Sequence, residues 1–247
     1  MDRLIYVAMN GAKHTMHQQA QVAHNLANAA TTGYKAEANA FRALPVVGDG
    51  AQTRTFVVDA TAGADLSAGA VQATDRDMDV AVQGKGWLAV QGADGSEAYT
   101  RNGSLLIGPN GLLQTRNGQT VMGDGGPLAV PPDAEITIAK DGTVSIIPMG
   151  QTPNTVAIVG RIKLVNPPEA GMVKGGDGLF RQASGLPAPA DANVVLAQKS
   201  LETSNVNVVD SLVSMIGLAR QYDMQIKLLH SADANAQKAA QIMNMNA

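Results

Sequence analysis

The sequence predicts an α+β protein in which two long terminal helices bracket a mainly antiparallel β region. Three observations carry this. All 11 Pro and 23 of the 26 Gly among the 247 residues lie between Pro45 and Pro189, and as the strongest helix breakers they confine long helices to the two ends. Apolar residues recur at spacings of three and four in both ends, the period of one helix face. The middle alternates β-leaning runs with Asn-Gly and Asp-Gly turns, which favour hairpins.

At the N-terminus Ile5, Met9, Ala12, Met16, Gln19, Ala23, Leu26 and Ala30 fall on one stripe, and only Gln19 interrupts its apolar character. Thr31, Thr32 and Gly33 then supply two β-branched residues and a Gly able to take the left-handed conformation, so the helix should stop near Ala30. Residues 34–75 have weak patterns and read as a connector. In the β region, 76–190, the runs 79–83 and 87–91 flank Gly84-Lys85-Gly86 and suit a hairpin. Further strands are expected at 105–107, 135–139, 143–147 and 161–165, and 191–204 reads as a second connector.

The C-terminal segment, 205–247, carries a longer stripe of Val208, Leu212, Met215, Ala219, Tyr222, Ile226, Leu229, Ala236, Ala240 and Met243, interrupted by Asp233. Asn207 is placed to cap this helix, with Asp210 three residues on. A helix of about 40 residues spans on the order of 60 Å. Its a/d seam is narrow and wants a partner helix. The first helix, within 1–33, is shorter and leaves part of the seam for other chains; the same periodicity also suits a two-helix hairpin within a monomer.

Composition excludes several function classes. A net charge of -3 and 3% aromatic residues provide neither the basic footprint nor the stacking surface of a nucleic-acid binder. With no Cys, disulfides, thiolate zinc sites and thiol catalysis are all excluded. No run approaches the roughly 20 apolar residues of a membrane span. The start is broken by Asn10, Lys13 and His14, unlike a cleaved Sec signal.

Positive signs of chemistry are weak. His14, His17 and His24 have no neighbouring carboxylate in sequence to complete a metal site, and no metal, cofactor or catalytic set is expected. Asp75, Asp77 and Asp79 alternate along a possible strand and, with Trp87, form the best case for a carbohydrate-binding or glycosidase-like surface. A solvated strand face explains the acids equally well.

Three sequence blocks resemble a known family. Residues 23–35, containing Asn25, Leu26, Ala27, Asn28, Gly33 and Tyr34, resemble the N-terminal signature of bacterial flagellar rod and hook proteins, NNLAN followed by T-x-G-[YF]-[KR], with His24 at the first Asn. Ser204, Asn205, Val206 and Asn207, then Met215-Ile216 and Arg220 to Gln225, are similar to the C-terminal SNVN, MI and R-x-[YF]-E-x-Q pattern, with Asp223 where Glu is common. The segments 79–87, 99–104 and 118–123 resemble the β-domain of the same proteins. The start at residues 1–6 and the runs 42–46 and 86–90 look most like the proximal-rod members.

The resemblance implies a non-enzymatic structural subunit whose terminal helices pair as a coiled-coil-like inner domain and pack with neighbours. It implies partners among other rod proteins and copies of itself, and passage through the flagellar type III export apparatus without a cleaved signal. It also implies residence in the periplasmic rod and a role in motility. On this reading the assembly seam comprises Ile5, Met9, Ala12, Met16, Leu26, Leu212, Met215, Ala219, Tyr222, Ile226 and Leu229. A distal-rod or hook-type subunit of the same family stays open, as does a module binding cell-wall peptidoglycan.

Overall fold

The computed structural model describes residues 2–45, 55–131, 134–148 and 156–245. The chain divides into two units: Met1–Asn28 with Glu37–Gly63 and Val206–Ala247, and Ala29–Ala36 with Ala64–Asn205.

The first unit is built on α1 (Asp2–Ala27) and α2 (Val208–Met245), which pack along one another, and on a two-stranded sheet of β1 (Glu37–Pro45) and β2 (Thr55–Ala64). The α1 helix stops three residues earlier than the expected Ala30. The Asn28 side chain donates to the His24 carbonyl at 2.9 Å, which also accepts the Asn28 amide at 3.2 Å, so Asn28 closes the helix end with both its backbone and its side chain. Asn207 caps α2, its Oδ1 accepting from the amides of Val209 (3.0 Å) and Asp210 (3.3 Å). No helix of the described residues is long and apolar enough to cross a membrane.

The second unit is antiparallel throughout its described pairings. Its strands in chain order are β3 (Val71–Ala73), β4 (Val80–Gln83), β5 (Trp87–Gln91), β6 (Glu97–Thr100), β7 (Leu105–Ile107), β8 (Leu113–Thr115), β9 (Thr120–Gly123) and β10 (Gly126–Pro127). There follow β11 (Ala134–Ile138), β12 (Thr143–Pro148), β13 (Ala157–Arg161), β14 (Leu164–Val165), β15 (Met172–Lys174), β16 (Phe180–Gln182), β17 (Val195–Gln198) and β18 (Ser200–Glu202). The main sheet runs β15-β16-β6-β5-β9-β8-β7, with β10 on β9 and β14 on β5; β11-β12-β13 form a second sheet, and β17 and β18 pair with β4 and β3.

β5 shows how the core is organised. Successive side chains of a strand point to opposite faces. Leu88 and Val90 accordingly join the larger cluster with Leu105, Ile138, Ile162 and Leu196, and Trp87 and Ala89 join the smaller one with Tyr99, Val165 and Phe180. Both faces of the strand are buried, which is why it reads as an unbroken apolar run. Each such Leu or Val contributes about 1.5 to 3 kcal/mol of burial.

The expected hairpin between 79–83 and 87–91 does not form. β4 pairs with β17, in the register Val82↔Leu196, while β5 has β6 on one edge and β9 and β14 on the other. Both edges of β5 are therefore occupied, and Gly84-Lys85-Gly86 serves as a crossover between sheets. Gly86 has φ +132, and a Cβ there would lie 2.6 Å from Cγ1 of Val194, so the crossover passes close under the segment leading into β17.

The units cut across the expected connectors. Of 34–75, residues 37–63 belong to the helical unit and the rest to the β unit. The stretch 191–204 contains β17 and β18, both paired with strands 112 or more residues earlier in sequence. Within 161–165, β13 ends at Arg161 and β14 begins at Leu164.

Candidate assembly site

In the helical unit, α1 turns a stripe of small residues inward. Ala8, Ala12 and Thr15 are buried, the Thr15 hydroxyl donates to Gln225 Oε1 at 3.2 Å, and a Cβ on Gly11 would meet the Gln225 amide at 3.1 Å. The expected stripe shares Ile5, Ala12 and Leu26 with this face, Ile5 and Leu26 being half-buried. At two positions it is displaced by one residue: Met9 and Met16 are 54% and 63% exposed, while the neighbouring Ala8 and Thr15 are buried. Small side chains let two helices approach closely, and a ranking by hydrophobicity passes over them.

On α2, Met215, Ala219, Tyr222, Ile226 and Leu229 are half-buried, together with Gln225. Leu212 is 46% exposed, within an apolar surface formed by Val208, Val209, Val213 and Ile216. Arg220 is exposed as well. Among the described residues of this unit, the buried hydrophobics are three alanines, Ala8, Ala12 and Ala232. Large exposed apolar side chains, by contrast, run along both helices and the β1–β2 sheet, from Tyr6 and Val57 to Met224 and Ile242. Exposed apolar side chains in this number are a candidate surface for another protein to pack on.

The family-motif residues satisfy backbone groups where the chain enters and leaves the units. Asn25 donates to the Glu37 carbonyl (3.0 Å) and accepts from the Glu37 amide (2.9 Å), so one side chain satisfies both backbone groups at the start of β1. His24 Nδ1 lies 3.3 Å from the Glu37 carboxylate. In the β unit, Asn205 accepts from the Ala36 amide (2.8 Å) and donates to the Asp65 carbonyl (2.8 Å). Gly33 has φ +66, and an added Cβ would sit 2.3 Å from the Arg101 carbonyl carbon. Both its left-handed conformation and the close approach require Gly. The Lys174 ammonium stands 4.1 Å from the Tyr34 ring centroid, close enough for a cation–π contact. Ser204 is buried, Val206 half-buried and Ala27 exposed.

The β unit also holds an ion-pair network that no local pattern announces. Lys35 Nζ lies 2.6 Å from Glu202 Oε1 and donates to the Ser67 carbonyl at 2.6 Å; Arg101 Nη1 lies 2.9 Å from Glu202 Oε2. The side chains of all three are at most 4% exposed. The Gly69 amide donates to Glu202 Oε1 at 2.9 Å, and the Gly33 amide donates to the Glu202 carbonyl at 2.8 Å. Burial pushes the Lys35 ammonium below its usual range, against the hydrogen bond and charge of Glu202, which hold it up. Removing one partner of such a pair strands a buried charge, at a cost of about 3 to 5 kcal/mol.

The carbohydrate reading fares poorly on geometry. Asp75 and Asp77 lie in the loop before β4 and Asp79 forms a single antiparallel bridge to Ser104, so the three do not line one strand face. Asp77 pairs with Lys199 at 2.8 Å, and Asp79 is buried, accepting from the Thr74 hydroxyl at 2.8 Å. Trp87 is 4% exposed, with its ring 4.6 Å from Phe180 and 5.3 Å from the Arg101 guanidinium. It is mainly a core residue, and only its edge reaches the cleft that Lys85 and Glu169 also line. His14 and His17 line a cleft on α1, their ring centroids 6.4 Å apart.

Three family descriptions match the chain: the flagella basal body rod protein family over residues 5–35, the flagellar hook protein FlgE/F/G D1 domain over 81–146, and the flagellar basal body rod FlgEFG protein C-terminal region over 197–242. The flagellar basal-body rod protein FlgF of Escherichia coli (strain K12) is 48% identical over 100% of both chains, and that of Salmonella typhimurium (strain LT2) is 46% identical over the same share. FlgG of Buchnera aphidicola subsp. Schizaphis graminum is 32% identical over 90% of this chain and 92% of its own. The chain belongs to the flagellar basal-body rod protein family, as a FlgF-like member.

Proposed function

We propose that the protein is a non-enzymatic structural subunit of the flagellar proximal rod, required for motility and assembling through its terminal helices. The observation that carries this is the imbalance of the helical unit, which buries three alanines and leaves Leu212, Val213, Ile216 and Met224 exposed. Neighbouring rod proteins and further copies of this chain supply the missing cover, as coiled-coil-like packing against α1 and α2. The seam residues half-buried within the chain, such as Ile226 and Leu229, then set the helix pair, and the exposed ones make the contacts between chains. The subunit works in the periplasmic part of the basal body, reached through the flagellar type III export apparatus without loss of an N-terminal signal. The buried state of Trp87 favours this over peptidoglycan binding.

The test is complementation of a strain lacking the gene. Leu212→Asp places a charge on a surface that is exposed in the free chain, so the purified variant should keep its fold while failing to restore rods or swimming. Full motility with Leu212→Asp, or intact rods in the deletion strain, would overturn the proposal.

A further inference from the structure

The exposed methionines are distributed unevenly. The chain has no Cys, so the thioethers of Met are its main targets for two-electron oxidants. Among methionines whose side chains are described, Met9, Met16 and Met224 are exposed, whereas Met78, Met122, Met172 and Met215 are half-buried. All three exposed ones belong to the helical unit.

Met9 lies in a distinctive setting. It lines a cleft of about 690 Å³ together with Tyr6, Lys13, His14, His17 and Val57. The cleft is wide enough for a small peroxide, and it places an ammonium and two imidazoles on the same walls as the sulfur. Those groups are proton donors, and breaking a peroxide O–O bond requires a proton on the departing oxygen.

We propose that Met9 is a redox-sensitive site, oxidised by hydrogen peroxide to a sulfoxide that prevents the helical unit from assembling. The sulfur lone pair attacks one peroxide oxygen, so that an S–O bond forms as the O–O bond breaks. The departing hydroxide takes a proton from a cleft donor and leaves as water, and the donor is restored by the proton of the hydroxysulfonium. Sulfur loses two electrons and the peroxide is reduced, giving one sulfoxide and one water. The product turns an apolar side chain into a polar, chiral one, on a helix face shared with Tyr6 and Met16. Because the face belongs to the proposed rod contact, the second half of this inference rests on that reading.

The purified full-length chain treated with limiting hydrogen peroxide and mapped by peptide mass spectrometry tests the site without any rod. Met9 should oxidise at least threefold faster than Met16 and Met224, and Lys13→Gln should bring it down to their rate. Equal rates at the three exposed methionines would overturn the site. In the deletion strain, Met9→Leu should restore swimming and Met9→Gln, a polar mimic of the sulfoxide, should lower it at least tenfold; swimming at the wild-type level with Met9→Gln would overturn the effect on assembly. Failure of the rod reading itself would show differently, as a deletion strain that swims.

Discussion

The two units solve the same problem in different ways. The β unit buries Leu88, Val90, Leu105, Ile138, Ile162 and Leu196 almost completely, together with the Lys35–Glu202–Arg101 ion-pair network. The helical unit has alanines at its centre and leaves most of its large apolar side chains outside. Apolar burial is the main favourable term in folding, so the β unit holds its stability within one chain. On the proposed assembly, the helical unit owes a larger share to the chains that pack on it. A subunit that must join others benefits from this division: a body that keeps its shape, and an adhesive part completed by neighbours.

The largest test of the contrast is Glu202→Leu. It leaves Lys35 and Arg101 buried without their carboxylate, and chemical unfolding followed by Trp87 fluorescence should show a loss of about 3 to 5 kcal/mol. A loss below about 1 kcal/mol would mean that the β unit does not depend on this network. Gly33→Ala should come next. The left-handed φ alone costs about 1 to 3 kcal/mol for a residue with a Cβ, and the 2.3 Å approach to Arg101 adds to it. An unchanged midpoint of unfolding would break the link between this motif and the β core.

The third test is alkaline. Burial first, and then the carboxylate of Glu97, push the Tyr99 hydroxyl up to about 12 from 10.0. The hydroxyl donates to Glu97 at 3.0 Å and accepts from the Ala188 amide at 2.7 Å. The unfolded chain releases this proton first, so the folded state keeps its full advantage below pH 10 and loses it as the pH rises towards 12. At about 1.4 kcal/mol per pKa unit the loss is at most about 3 kcal/mol. Tyr99→Phe should flatten this part of the pH–stability curve; an unaltered slope would refute the assignment.

The smallest effect is expected in the helical unit. Gly217 sits inside α2 with nothing within 4 Å of an added Cβ, so Gly217→Ala should raise helix stability by about 0.5 to 1 kcal/mol, seen as a higher midpoint in the helical circular dichroism signal. Destabilisation would mean that the position is crowded in solution.

Legibility from sequence differed in the same way between the units. The two helices and their cap at Asn207 followed from periodicity and from local hydrogen-bonding chemistry, as did the turns at Gly95, Gly118 and Gly142, all with positive φ. The inward face of α1 was displaced by one residue at Met9 and Met16, because packing at close range selects small side chains where a hydrophobicity count selects large ones. The pairing of β4 with β17 and the contact of Lys35 with Glu202, 167 residues apart, left no local trace.

The amino-acid sequence by itself determined where helices can form, where the chain must turn, and which blocks tie it to the rod proteins, because these depend on neighbours within a few residues. Tertiary structure alone decided which strands meet, which charges are buried together, and which apolar faces stay exposed. Those outcomes depend on which distant segment gives a strand edge or charge its most favourable partner, and burial in one place removes that partner from every other.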